Sequence, residues 1–139
     1  MAKRRPAVSP SSPCPCGLDA TYGDCCGSLH QARTTATTAE QLMRSRYTAF
    51  VVRDAPYLLR SWHSSMRPAD LQLDQDLRWT GLEILNTTNG SPFHIEGTVE
   101  FRAGYELDGR PGHQQENSRF AREDGAWVYV DAQGRSATS

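Results

Sequence analysis

The chain has 139 residues and no cysteine outside one short window, where all four (Cys14, Cys16, Cys25 and Cys26) are gathered. A disulfide framework spanning the fold is thereby excluded. A single domain of this length buries roughly two-thirds of its unfolded surface without such staples. Long apolar runs are also missing. Nothing reaches the roughly 18 apolar residues that span a bilayer, and no apolar segment follows the basic Lys3-Arg4-Arg5 start. No signal peptide and no membrane association are expected, and the cytoplasm is the expected compartment. An excess of positive charge is absent too: Lys+Arg 15 against Asp+Glu 16 gives a net charge of -1. That balance argues against a chain dominated by nucleic-acid binding. Hydrophobic residues make up only 37%, so part of the chain is expected outside any core. The polar ends, residues 1–13 and 133–139, are expected to be disordered tails. The basic start is read as a solvated tail, with a weak RNA or ribosome contact as the lesser reading.

The cysteine window reads Cys14-Pro15-Cys16-Gly17-Leu18-Asp19-Ala20-Thr21-Tyr22-Gly23-Asp24-Cys25-Cys26-Gly27. Close pairs joined by a short turn suit a tetrahedral ion, each pair supplying two thiolates to one side of it. Pro15 fixes a backbone angle between the first two ligands, and Gly17 permits the tight reversal that follows. Zinc is the expected ion because four thiolates close the site to water and substrate. A disulfide or redox pair, copper(I) and an iron–sulfur cluster are the alternatives. His30 lies within sequence reach of the ion. With four thiolates available, it is read as a packing or hydrogen-bonding residue behind them. Such a site supports folding and recognition rather than catalysis, and with zinc bound it would take the formal charge to roughly -3.

This segment resembles the SEC-C motif, a zinc-binding module with the pattern C-P-C-G-S-G-K-K-Y-K-K-C-C. Cys14, Pro15, Cys16, Gly17, Tyr22, Cys25 and Cys26 match in type and spacing. The resemblance implies all four cysteines as ligands, in a knuckle over residues 14–30. Leu18-Asp19-Ala20 stands where Ser-Gly-Lys is typical, and Asp24 where the motif is basic, so a lysine-rich face for anionic partners is absent.

After a linker-like stretch the pattern becomes helical. Thr37 and Glu40 fit a capping box, with Met43, Tyr47, Phe50 and Val51 on one face of a helix to about Arg53. Asp54 and Pro56 restart a short helix carrying Tyr57, Leu58, Leu59 and Trp62. A third short helix is expected after Pro68. From Leu77 the period is two. Strands are expected around Trp79 to Asn86, from Phe93 to Leu107, from His113 to Arg122 and from Ala126 to Asp131. Asn89-Gly90, Asp108-Gly109 and Asp124-Gly125 mark the turns, and Gly97 and Gly104 the easiest places to bend. The expectation is an α+β domain over residues 37–132, with helices on the concave face of a curved four-stranded antiparallel meander and room for a pocket.

Glu40-Gln41-Leu42-Met43-Arg44-Ser45-Arg46-Tyr47, Tyr57-Leu58-Leu59-Arg60-Ser61-Trp62-His63, Ser118-Arg119-Phe120 and Asp124-Gly125-Ala126-Trp127-Val128-Tyr129-Val130-Asp131 resemble the YchJ family of bacterial proteins. That resemblance implies a nuclear-transport-factor-two-like (NTF2-like, cystatin-like) cone carrying a zinc knuckle.

The suggestive polar set in the cone is Arg46, Tyr47, Trp62, His63, Glu116 and Arg119, of which Tyr47, Trp62, His63 and Arg119 are the candidate pocket residues. With Tyr47 packed inward, Arg46 is expected near the edge of the helix face. His63 suits a general base or pocket ligand, but a helix C-cap is the favoured reading. Glu116 and Arg119, three apart on a strand, must face opposite ways. Trp79, Trp127 and Tyr129 are read as core, and His94 and His113 as surface. No nucleophile–base–orienter set or glycine-rich phosphate loop is visible, so no catalytic residue is assigned. The expected function is a non-enzymatic adaptor whose zinc knuckle presents a rigid surface to a protein partner. A small-molecule or catalytic pocket in the cone is the alternative.

Overall fold

The computed structural model describes residues 8–138. The chain runs through a 3-10 turn (Tyr22–Asp24), three helices, α1 (Cys26–His30), α2 (Ala39–Val52) and α3 (Ala55–Arg60), and then four strands, β1 (Leu77–Asn89), β2 (Glu96–Leu107), β3 (Arg110–Glu123) and β4 (Ala126–Thr138). The strands form an antiparallel meander in the order β1-β2-β3-β4. Asp108-Gly109 and Asp124-Gly125 all have positive φ, the geometry that a two-residue hairpin turn matched to strand twist requires.

The sheet curves because register slips in two of its ladders. On β1 the shifts fall at Trp79/Gly81 and Ile84/Asn86, and in the β3–β4 ladder at Asn117/Ser118 and Arg119/Phe120. Gly97 stays in regular register opposite Asn89. Its missing side chain serves a close approach instead, since a Cβ there would lie 2.5 Å from the Gly90 backbone. The inner face of the sheet supplies Val99, Phe101, Ala103, Phe120 and Trp127 to the main core, and α2 supplies Ala39, Leu42, Met43 and Tyr47.

The N-cap falls one residue later than expected, and the reciprocal bond of a capping box goes to the residue before it. Thr38 is the N-cap of α2, its hydroxyl accepting from Gln41 N–H at 3.0 Å, while Gln41 Oε1 accepts from Thr37 N–H at 2.8 Å. Arg53 ends the helix in the left-handed conformation, and Asp54 caps α3 through Tyr57 N–H at 3.1 Å.

Several expectations need correcting. Among the described residues no helix follows Pro68. Leu71 and Leu73, two apart, pack beside Leu58, while Arg53 holds the carbonyls of Asp74 and Gln75, so the segment crosses in extended form. Phe93 and Ile95 do not belong to a buried strand face: they are 94% and 74% exposed, and β2 starts at Glu96. Pro92 lacks a donor for the ladder, and local bonds from Phe93 N–H to Ser91 Oγ and from Ser91 N–H to His94 Nδ1 hold a turn there. β4 continues to Thr138, opposite His113, so residues 133–138 are paired strand where a disordered tail was expected. At the other end, residues 8–13 fold onto the knuckle through a Pro13–Thr21 bridge and a Tyr22 N–H to Ser12 carbonyl bond of 2.7 Å. The rest of the two tails, residues 1–7 and Ser139, lies outside the described residues.

Candidate metal centre and cone cavity

The first cysteine pair sits on a small loop closed by Cys14 N–H to Ala20 carbonyl and Gly17 N–H to Cys14 carbonyl bonds, at 3.0 and 3.2 Å. The second pair leads into α1, pressed close to the 3-10 turn. A Cβ on Gly27 would stand 2.6 Å from the Tyr22 carbonyl, so only glycine fits. The chain thereby brings the four Sγ atoms within 4.8 Å of one another, and Cys16 and Cys25 stand 3.7 Å apart, all as free thiols. Metal–sulfur bonds of about 2.3 Å in a tetrahedron put sulfurs about 3.8 Å apart, so the set fits a tetrathiolate ion with little movement. Electrostatics point the same way. S–H donation from Cys16 and Cys26 holds the Cys14 thiol far below its ordinary pKa. Burial first, and the neighbouring negative charge second, push Cys25 up to about 12. Cys26 is raised further, chiefly by hydrogen bonding to Cys14. A bound dication would replace this competition for protons with four satisfied thiolates.

The knuckle is seated on α2. Thr48 Oγ1 lies 4.0 Å from Cys14 Sγ, and Arg44 Nη1 donates to the Cys16 carbonyl at 2.7 Å. His30, 8% exposed, is the bolt between the two parts. Its Nε2 is 2.8 Å from the Ser45 carbonyl, which can only accept, so the proton is on Nε2, and Nδ1 accepts from the Tyr22 hydroxyl at 2.6 Å. Burial lowers its pKa and keeps the ring neutral. The same ring packs on Tyr57, and Arg60 Nη2 closes α1 by donating to the His30 carbonyl at 2.7 Å.

The other face of α2 lines a cavity of about 220 Å3 against the sheet. Of the candidate pocket residues, Tyr47 and Trp62 lie here, with Arg46, Phe50, Trp79, Phe101, Gln114, Glu116, Ser118 and Tyr129. Arg46 is not at an edge: it is 5% exposed, because α3, the sheet and the segment after α3 enclose that side of the helix. Its Nη1 donates to the Leu58 carbonyl and to Ser61 Oγ, both at 2.7 Å, and the guanidinium lies 4.7 Å over the Tyr129 ring and 5.2 Å over that of Trp62. Burial brings its pKa down to about 10. Glu116 is also buried, and accepts from Gln114 Nε2 at 3.2 Å and from Ser118 Oγ at 2.5 Å.

His63 and Arg119 do not join them. The segment after α3 pairs with β4, through Tyr129 N–H to Ser61 carbonyl and His63 N–H to Tyr129 carbonyl bonds of 2.9 and 2.7 Å. Extended backbone alternates its side chains, so Trp62 enters the cavity and its neighbour His63 faces a separate surface cleft. There His63 Nδ1 accepts from Ser65 N–H and lies 2.8 Å from Ser65 Oγ, and Nε2 stands 3.8 Å from Glu123. It caps no helix carbonyl, since α3 has already ended at Arg60. Arg119 lines that cleft too, bound through two nitrogens to Asp131 at 2.6 and 2.7 Å, while Glu116 points the opposite way into the cavity. Trp127 is core as expected, and Trp79 and Tyr129, half-buried, pack against the same cluster while also walling the cavity. His94 is exposed and His113 half-buried. Gln114, Phe101 and Ser118 were not singled out from sequence. The period-two pattern carried the signal: Gln114, Glu116 and Ser118 share one strand face.

A curved four-stranded antiparallel sheet wrapped over a helix, with a four-cysteine knuckle docked on that helix's far side, defines an NTF2-like α+β domain with an N-terminal SEC-C-type cysteine cluster. The chain belongs to the YchJ (UPF0225) family: the family described as "YchJ, middle NTF2-like domain" matches residues 38–132. A UPF0225 protein of Streptomyces coelicolor is 58% identical over 89% of this chain and 97% of its own length. One from Ralstonia nicotianae is 44% identical over 94% and 97%. The solution structure of a SEC-C motif containing protein from Rhodopseudomonas palustris superposes with a TM-score of 0.76 at 28% identity, covering 87% of this chain and 97% of that one. A crystal structure of another, from Psychrobacter arcticus, shares the fold with a TM-score of 0.73 at 24% identity over 94% and 86%. Among the described residues no helix is long and apolar enough to cross a membrane.

Proposed function

We propose that the protein is a non-enzymatic binder of a small molecule, in which a structural zinc ion on Cys14, Cys16, Cys25 and Cys26 locks the helix that forms one wall of the binding cavity. The observation that carries this reading is the double use of α2. Arg44, Ser45 and Thr48 hold the knuckle, while Met43, Arg46, Tyr47 and Phe50 line the cavity. Zinc suits the site because four thiolates leave no open position, and a reducing cytoplasm would keep the thiols available. The test is metal analysis combined with chelation. About one zinc per chain is expected, and its removal should alter the fluorescence of the cavity tryptophans Trp62 and Trp79. A chain isolated without metal and with a Cys–Cys bridge would refute the zinc assignment.

A protein-docking role for the knuckle is the second reading. Leu18, at the tip of the cysteine loop, is 45% exposed beside exposed Asp19 and Ala20, a small mixed surface suited to a protein rather than a polyanion. Affinity capture with wild type and Cys25→Ser in parallel tests it, since a partner retained by the variant does not use the knuckle.

A further inference from the structure

Two sets of donors at the cavity have no partner among the described residues. Arg46 is a buried cation that forms no ion pair among the described residues. Both of its hydrogen bonds to described residues leave from Nη1, so the Nε and Nη2 edge of the guanidinium, the fork that grips a carboxylate through two nitrogens, makes none among them. Trp62 Nε1 is buried without a hydrogen-bond partner among the described residues. A buried N–H left unmade is costly and calls for an explanation such as a bound group. The two residues are neighbours, the guanidinium lying over the indole ring. Burial lowers the Arg46 pKa only to about 10, so the cation persists at neutral pH.

The rest of the cavity limits what these donors meet. Its walls include the rings of Tyr47, Phe50, Trp79 and Phe101, which favour a flat apolar body. A volume of about 220 Å3 is room for about seven waters and falls below the usual range for drug-sized ligands. One ring with a short acidic arm fills it. Glu116, already accepting from Gln114 and Ser118, offsets part of the Arg46 charge through space, so a ligand carrying more than one negative charge is disfavoured.

We propose that the cone cavity binds a small aromatic monocarboxylate, its ring among the aromatic walls and its carboxylate on the free edge of Arg46 and the Trp62 indole N–H. This rests on the small-molecule reading above and names the ligand class. The test uses the full-length, zinc-loaded protein with benzoate and phenylacetate as acids, benzamide as the neutral match and benzylamine as the cation, followed by calorimetry. The acids should bind about tenfold more tightly than benzamide, the scale of a charge-assisted bond. Trp62→Phe keeps the ring but removes the donor, and should weaken the acids at least about threefold while leaving benzamide unchanged. Arg46→Gln should abolish the preference. Should that variant fail to fold, Trp62→Phe decides alone. Benzamide binding as tightly as the acids, benzylamine binding best, or Trp62→Phe sparing the acids would each overturn the carboxylate assignment while leaving a binding cavity. Binding of none of the probes would overturn both readings.

Discussion

Residues 14–30 bury three cysteines, Leu29 and His30, whereas the sheet and α2 bury Leu42, Met43, Tyr47, Val99, Phe101, Phe120 and Trp127 in one continuous cluster. The first region has too few apolar side chains to hold itself, and its hydrogen bonds are mostly turns. Metal coordination, which contributes on the order of 10 kcal/mol in small zinc modules, is the term that can fix it. The second is held by ordinary burial at about 25 cal/mol per Å2 of apolar surface. Yet the two are not independent beads, because α2 is buried between them. The difference teaches that a metal held by these four thiolates would support one wall of the cone from outside.

Breaking the metal side should have the largest effect. Cys16→Ser should lose most bound metal and lower the thermal midpoint by more than about 10 °C. Hydrogen exchange should rise across residues 14–30 and on α2, and least in the β2–β3 ladder. Equal loss of protection in that ladder would mean that the two regions unfold as one and do not differ in what holds them. Phe120→Ala attacks the other side. Phe120 is 1% exposed in the main core, so a loss of about 3–5 kcal/mol is expected in denaturant unfolding, with metal content unchanged in the folded protein. Thr48→Val probes the seam. It keeps the volume but removes the hydroxyl beside Cys14 Sγ, and competition with a chelator should show metal affinity reduced about tenfold. Unchanged affinity would place Thr48 outside the metal's support.

The cysteine spacing, the strand alternation from residue 96 and the Asp-Gly turns were legible because each follows from local chemistry. What was not legible is enclosure. From sequence, α2 has one apolar face, but in the fold it is covered on several sides, so Ser45, Arg46 and Thr48 are buried while Phe50 and Val51 are only half-buried. Periodicity does not reveal a second packing surface made of backbone carbonyls and thiols. The splitting of the candidate pocket residues has the same origin. Trp62 and His63 are adjacent on a segment read as a helix end, and once that segment pairs with β4 they must part. Phe93 and Ile95 keep the alternation of a strand with no core behind it, because Pro92 and the turn bonds around Ser91 hold Phe93 in a turn, and Ile95 keeps one bond to β3, its carbonyl accepting from Arg122 N–H at 2.9 Å.

The smallest of these effects concerns the bolt between the regions. Burial holds the His30 pKa below its ordinary value of about 6.5, so the folded chain keeps the ring neutral in a range where the unfolded chain protonates it. Protons then bind the unfolded state more, and stability falls as pH drops below about 6.5 toward the folded pKa. Above that range the group contributes no slope. Coulombic effects face the ring from several elements: Asp54 and Cys14 raise its pKa, Arg60 lowers it, and desolvation outweighs them all. His30→Gln offers a donor to the Ser45 carbonyl and an acceptor to the Tyr22 hydroxyl without a titrating group. In zinc-loaded protein between pH 7 and 6, with metal content checked at each point, the variant should lack up to about 1 kcal/mol per pH unit of the wild-type slope at the acid end. If both proteins show the same slope, the acid sensitivity belongs to the thiolates alone, and His30 joins knuckle to cone as a neutral strut in every state.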